Sequence, residues 1–250
     1  LRRLTTILSL AFLGAFGAGK ARAQGGPPMI TDDPGTPGNR KWEINLAIAF
    51  EHRPNERSFD SPAIDFNYGV GEHIQLTLQG GPVLLKRRSH GPIGGLGGTE
   101  AAVKWRFFDE EVSGFDASMF PRVIFNITQS SVRRGLAEGG TRFQIPFQAA
   151  KKFGRFHVDA EFGPLASTIG RSESLYGIVG GIEVSKPTML MAELHGTSRM
   201  NFTHDVLTVN VGLRHEFTAA RILIASIGRE IRDSDQALAL IGYCGLQLLY

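Results

Sequence analysis

Two sets of alternate positions carry the sharpest chemistry in this chain: His157-x-Asp159-x-Glu161 and Glu193-x-His195. On an extended backbone, residues two apart share a face, so each set offers an imidazole beside carboxylates. Such a set could ligate a metal or relay a proton. The same spacing also arises on any strand with a polar face, where ion pairing is the plainer outcome. Asp32-Asp33-Pro34-Gly35 is a third constellation, whose Asp-Pro-Gly order is that of a turn. Its two carboxylates could serve the turn alone, take part in a cation site, or pair with an arginine. Cys244 is the single cysteine, so no internal disulfide forms, and its apolar neighbours suit packing better than nucleophilic chemistry. No G-x-S-x-G is present. No catalytic, metal or cofactor-binding residues are assigned, and no cofactor is expected.

The elements that hold these residues read as strands. In Trp42–Glu51 the residues Trp42, Ile44, Leu46, Ile48 and Phe50 fall on one face, opposite Glu43, Asn45, Ala47, Ala49 and Glu51. Comparable alternation recurs along the chain, giving about twelve strands, and helical periodicity is weak throughout. Arg221–Glu230 is apolar at both parities, so its phase cannot be read. The intervening links alternate in character. Those after even-numbered strands are mostly short, and those after odd-numbered strands are mostly longer and more polar, among them Arg53–Ser61, Lys86–Gly98, Ser130–Thr141, Gly163–Glu173 and Gly196–His204.

Residues 1–23 combine Arg2 and Arg3, an apolar run over Leu4–Phe16, and Ala21-Arg22-Ala23. That is the pattern of a cleaved secretory signal. Losing Arg2, Arg3, Lys20 and Arg22 from 27 basic residues leaves 23 against 24 acidic ones. The mature chain is therefore near neutral and carries no nucleic-acid footprint. Beyond the signal, no apolar run approaches the ~20 residues a membrane helix needs, whereas a tilted strand crosses in about 9–11. Export, an even strand number, asymmetric links and a last strand ending in Tyr250 together predict an all-β fold. It is a closed antiparallel up-and-down transmembrane β-barrel, monomeric, with both termini periplasmic. A soluble sandwich would show the same alternation but fits the number and length of strands less well.

The organisation expected is a signal peptide over 1–23, a periplasmic Pro/Gly-rich segment over 24–40 whose Asp-Asp-Pro-Gly turn could fold into the lumen, and a barrel over 41–250, closed by pairing of Trp42–Glu51 with Ala237–Tyr250. Trp42 would sit at the periplasmic interface. Apolar faces would meet outer-membrane lipid. The lumen would receive Glu43, Asp65, Glu100, Lys104, Arg106, Arg142, Arg155, His157, Asp159, Glu161, Glu183, Glu193, His195 and Arg214, with Glu51 and Arg122 also on that face. Mixed signs there could pair across the lumen and fill it, or leave a narrow polar path.

Ile30-Thr31-Asp32-Asp33-Pro34-Gly35-Thr36-Pro37-Gly38 followed by Trp42-Glu43-Ile44-Asn45 resembles the outer-membrane family named for the meta-pathway of phenol degradation. Phe66-Asn67-Tyr68-Gly69-Val70 with His73-Ile74-Gln75-Leu76 is similar to that family too. The resemblance implies a Gram-negative outer-membrane barrel, transporter-like or porin-like, passing small organic molecules. It supplies no functional residues. The Tyr250 terminus resembles the signal read by the outer-membrane assembly machinery. The function expected is passive passage of small, aromatic or hydrophobic solutes. The alternatives are a filled barrel with a structural or adhesive role, an outer-membrane lipid-modifying enzyme, and a soluble periplasmic protein binding an apolar ligand.

Overall fold

The structure is a computed structural model that describes residues 27–170, 172–199, 205–233 and 239–250. The expected signal peptide, 1–23, lies outside the described residues.

Twelve antiparallel strands among the described residues close into one barrel. They are β1 (Trp42–Arg53), β2 (Glu56–Val70), β3 (Ile74–Gly80 and Pro82–Arg87), β4 (Ile93–Leu96 and Thr99–Phe108), β5 (Asp116–Met119 and Arg122–Phe125) and β6 (Arg142–Gln144 and Phe147–Phe153). The second half is β7 (Phe156–Ser167), β8 (Glu173–Ser185), β9 (Thr188–Arg199), β10 (Val206–Thr218), β11 (Arg221–Asp233) and β12 (Leu240–Leu249). Each pairs with its sequence neighbour, and β12 returns to β1, with Glu43 opposite Leu249 and His52 opposite Leu240. Trp42 and Tyr250 exchange backbone hydrogen bonds of 2.9 and 3.0 Å and complete the seam. Among the described residues no strand edge is left open.

Polarity is inverted relative to a soluble fold. Leu78, Val211, Phe162 and Ile48 are each more than half exposed, while Thr77, Asn210, Glu161 and Asn45 on the same staves are nearly or fully buried. Large apolar side chains therefore form an outward belt, and the polar parity faces a shared interior. This is the arrangement lipid demands. Trp42 and Tyr68 meet at 4.7 Å, and Trp105, Phe107, Phe108 and Phe115 form a chain of ring contacts at the same end. These rings make an aromatic girdle at the rim where β1 begins and β12 ends.

Several segments expected as loops are strand. Arg53 pairs with Glu56 across a turn of residues 54–55, because the polar run Glu56–Asp60 pairs with Val83–Arg87. Ile93–Leu96 pairs with Pro82–Leu85, Gly163–Ser167 continues β7, and Gly196–Arg199 continues β9. Glycine and polar residues weaken side-chain packing but leave the ladder intact. The phase of β11 is now defined. Ile222 and Ile224 are fully buried on the interior parity with Glu230, while Ile227 and Ile231 face outward. Its two-sided apolarity is what hid the phase. Among the described residues two short helices sit in the links. α1 (Glu110–Ser113) is capped by Asp109, and α2 (Gln129–Arg134) is capped by Thr128 and ended by Gly135 in the left-handed region.

Four staves are interrupted near mid-length: β3 at Gly81, β4 at Gly97-Gly98, β5 at Phe120-Pro121 and β6 at Ile145-Pro146. Proline lacks the ladder donor. Neighbouring strands still bridge these breaks, through Gly97 N–H to Gly81 O (2.9 Å), Phe120 N–H to Pro146 O (2.9 Å) and Ile145 N–H to Pro164 O (3.1 Å).

Candidate functional site

The interior is organised around the segment preceding β1. Residues 27–36 run inside the barrel and touch the inner faces of β4, β5, β8, β9, β10 and β11. The backbone N–H groups of Ile30 and Thr31 donate to the two oxygens of Glu193, at 3.1 and 2.5 Å, and Asn210 Nδ2 donates to Glu193 Oε2 at 3.1 Å. Ser226 Oγ donates to the Pro28 carbonyl at 2.7 Å. Lys104 Nζ donates to Asp32 Oδ1 at 3.1 Å and to the Asp33 carbonyl at 2.6 Å, and Arg122 lies 3.6 Å from Asp32 Oδ2. Both cations also lie over the Phe120 ring, at 4.7 and 4.3 Å. Asp32 thus pairs with a lysine and an arginine. Asp33 makes the turn, its carboxylate accepting from the Gly35 N–H at 2.5 Å. Burial pushes the Asp33 carboxyl well above the usual carboxylate range, and the Lys104 ammonium opposes that shift.

The wall is shaped to receive this segment. A Cβ on Gly177 would lie 2.0 Å from Thr31 Oγ1, and one on Gly212 would lie 1.9 Å from Met29 Cε. Only glycine admits such approach. Met29 then closes a small apolar cluster with Val179, Met189 and Met191, all on interior parities. At the rim where β1 begins, Thr36 Oγ1 donates to the Glu72 carbonyl at 2.7 Å. Arg106 donates to the same carbonyl at 3.0 Å and pairs with Asp109 at 3.2 Å.

The other expected lumen residues fall into separate groups. Asn45 Nδ2 bridges Glu43 (3.3 Å) and Asp65 (3.0 Å). Glu100 lies 3.8 Å from Arg122, and Arg142 pairs with Glu138 at 2.7 Å. His157 and Lys152 share Glu183 Oε1, at 2.9 and 2.6 Å. His195 lies 3.8 Å from Glu161. Arg214 donates to Gln247, and Asp159 is buried. Arg155 is a correction: it sits exposed in the two-residue turn between β6 and β7, over the Phe156 ring at 5.4 Å, because the hairpin closes on Phe153 and Phe156. His157 and Glu161 therefore have different partners, and among the described residues no group of three or more His, Cys, Asp or Glu is placed to hold a metal. Cys244 is exposed on the outward face.

Cavities surround the seated segment. A vestibule of about 650 Å³ opens beneath α2 and the link over 126–141, lined by Arg53, Asp60 and Arg142 among others. It shares Asp60, Gly98, Ile124 and Arg142 with a 230 Å³ void at the Gly81 and Gly97-Gly98 breaks. That void shares Gln79 and Glu100 with a 270 Å³ chamber beside Asp32 and Asp33. A further 320 Å³ void between Met29, Phe50 and Ile241 shares Tyr243 with the chamber.

Solved structures share this architecture. The fold is that of porin-like outer-membrane channels. A crystal structure of the COG4313 outer membrane channel from Pseudomonas putida F1 matches over 87% of this chain and 97% of its own, with a TM-score of 0.66 and 12% identity. The NanC porin matches over 82% of this chain and 98% of its own (TM-score 0.58, 6% identity), and the KdgM porin over the same shares (TM-score 0.56, 10% identity). No protein-family model matches the chain, and neither does any curated protein. At such identities the likeness establishes the barrel alone.

Sequence reasoning found most charged lumen positions, Lys104 and Glu193 of the seating contacts among them, but not the small and apolar wall residues that receive the segment. Gly177, Gly212, Met189 and Met191 carry no chemical signature, and their role emerges only once residues 27–36 occupy the interior.

Proposed function

We propose that this chain is a bacterial outer-membrane channel for small organic solutes, belonging to the family named for the meta-pathway of phenol degradation. The observation that carries the reading is the series of voids that share lining residues and lead from the vestibule to the chamber walled in part by residues 27–35. The lining is mixed. Arg53, Asp60 and Arg142 face one part, and Met29, Phe50 and Ile241 another. Such a surface suits solutes with an apolar body and a polar tip, including small aromatic compounds. The family part of the reading rests on the resemblance of the Ile30–Gly38 motif. Residues 1–23 would direct export, and the strand ending at Tyr250 would be read by the assembly machinery. Outer-membrane lipid would cover the apolar belt.

Liposome swelling with the refolded full chain tests this. Small uncharged aromatic solutes such as phenol and its neutral derivatives are expected to enter, and a trisaccharide is expected to be excluded. Absence of swelling with every small solute would overturn the channel reading. It would favour a filled structural or adhesive barrel, a reading to which the Lys104–Asp32 clamp lends some weight.

A further inference from the structure

The 270 Å³ chamber beside the segment has an unequal charge inventory. Five carboxylates line it, Asp32, Asp33, Glu43, Asp65 and Glu100, against two cations, Lys104 and Arg122. Both cations are already engaged by Asp32, and Arg122 also faces Glu100. Glu43 has the Arg214 guanidinium nearby. Asp65 has no such partner, and the charges that act on it are those of Glu43 and Asp32, both acidic.

A ladder of neutral side-chain donors converges on Asp65. Asp65 is 8% exposed, and its Oδ2 accepts from Asn45 Nδ2 and Asn67 Nδ2, each at 3.0 Å. Asn67 Oδ1 in turn accepts from Gln75 Nε2 at 2.8 Å and Thr77 Oγ1 at 2.6 Å. Every donor in this ladder points toward the carboxylate, and such chains reinforce one another. Asp65 Oδ1 is left buried with no hydrogen-bond partner, and so is Asn45 Oδ1. A buried carboxylate oxygen without a partner is costly. The chamber is large enough for several waters, so a hydrated ion fits.

We propose that this chamber binds a monovalent cation at Asp65 and that Asp65 biases passage through the barrel toward cations. One uncompensated carboxylate beside neutral amide oxygens suits a monovalent ion or small ammonium group. A divalent ion would call for a denser set of charged oxygens. The selectivity half rests on the channel reading above; the binding half does not.

Two measurements on the full chain separate them. In planar bilayers under a KCl gradient, the reversal potential is expected to show K+ preferred over Cl− on the order of tenfold, since acid-lined clefts concentrate counter-ions. Asp65→Asn, which keeps the shape of the side chain, is expected to bring the ratio toward unity. Chloride preference, or an unchanged ratio in D65N, would overturn the proposal. In Rb+-soaked crystals an anomalous peak is expected at Asp65 and none in D65N; its absence from the native protein at saturating Rb+ would also overturn it. A barrel silent in bilayers that still shows the Rb+ peak would reject the channel but retain the site.

Discussion

Lys104 on β4 holds the turn that precedes β1 from inside the barrel, its Nζ 3.1 Å from Asp32 Oδ1 and 2.6 Å from the Asp33 carbonyl. The ammonium is almost completely buried, so its charge is balanced by this contact rather than by bulk water. Removing one partner of such a pair typically costs about 3–5 kcal/mol. Lys104→Met is therefore expected to weaken seating of residues 27–36 by roughly 3 kcal/mol while leaving the strand ladders intact. Limited proteolysis should then cleave the segment in the folded barrel, where the native protein resists.

Gly177 gives a steric test of the same contact. Gly177→Val would drive a side chain into Thr31 Oγ1, 2.0 Å from the ideal Cβ position. Overpacking of this kind costs about 1–3 kcal/mol. The expected result is the same proteolytic sensitivity, reversed in the double variant with Thr31→Gly. If the double variant stays as sensitive as the single one, Thr31 is not what Gly177 accommodates.

Asp33 makes the seating depend on pH. Its carboxyl is raised in the seated state by burial, against the pull of Lys104, with Asp32, Asp159 and Glu43 adding to the rise. A group whose value is higher when seated favours seating at low pH and loses that contribution as pH climbs through the raised value. Protection of the segment should fall as pH rises from the ordinary carboxylate range through the raised one. Asp33→Asn should flatten the profile; an unchanged profile would assign it to another group.

Ile48 stands on the outward belt, more than half exposed. Ile48→Arg would place a charge against lipid at a cost of about 2–4 kcal/mol near the bilayer midplane. Urea titration of folding into lipid vesicles should show that loss. A cost near zero would remove Ile48 from the lipid face.

Much of the barrel was legible because alternation is a local property. Trp42–Glu51 declares its two faces without help from any neighbour, and the inward parity of Asp65, Lys104, His157 and Glu193 follows from strand phase alone. What was hidden depended on pairing or on a second segment. Glu56–Asp60 read as a loop because its partner Val83–Arg87 lies well along the chain. Ile222 and Ile224 face inward although they are as apolar as Ile227. Asp32-Asp33-Pro34-Gly35 showed its turn plainly, but not that Lys104 and Arg122 would meet Asp32. Arg155 was misplaced because a two-residue turn takes it off the strand. Asn45, Asn67, Gln75 and Thr77 sit on predicted inward positions, yet nothing in their spacing reveals that they converge on Asp65.

Single-channel conductance of the full chain against a chain lacking residues 27–38 bears most directly on whether this segment sets the passage. The full chain should conduct weakly through the voids around the segment, and the deletion should conduct several-fold more, with heat-modifiable migration confirming that both barrels fold. Equal conductance in the two folded proteins, or silence in both, would contradict a channel whose bore is set by its own N-terminal segment.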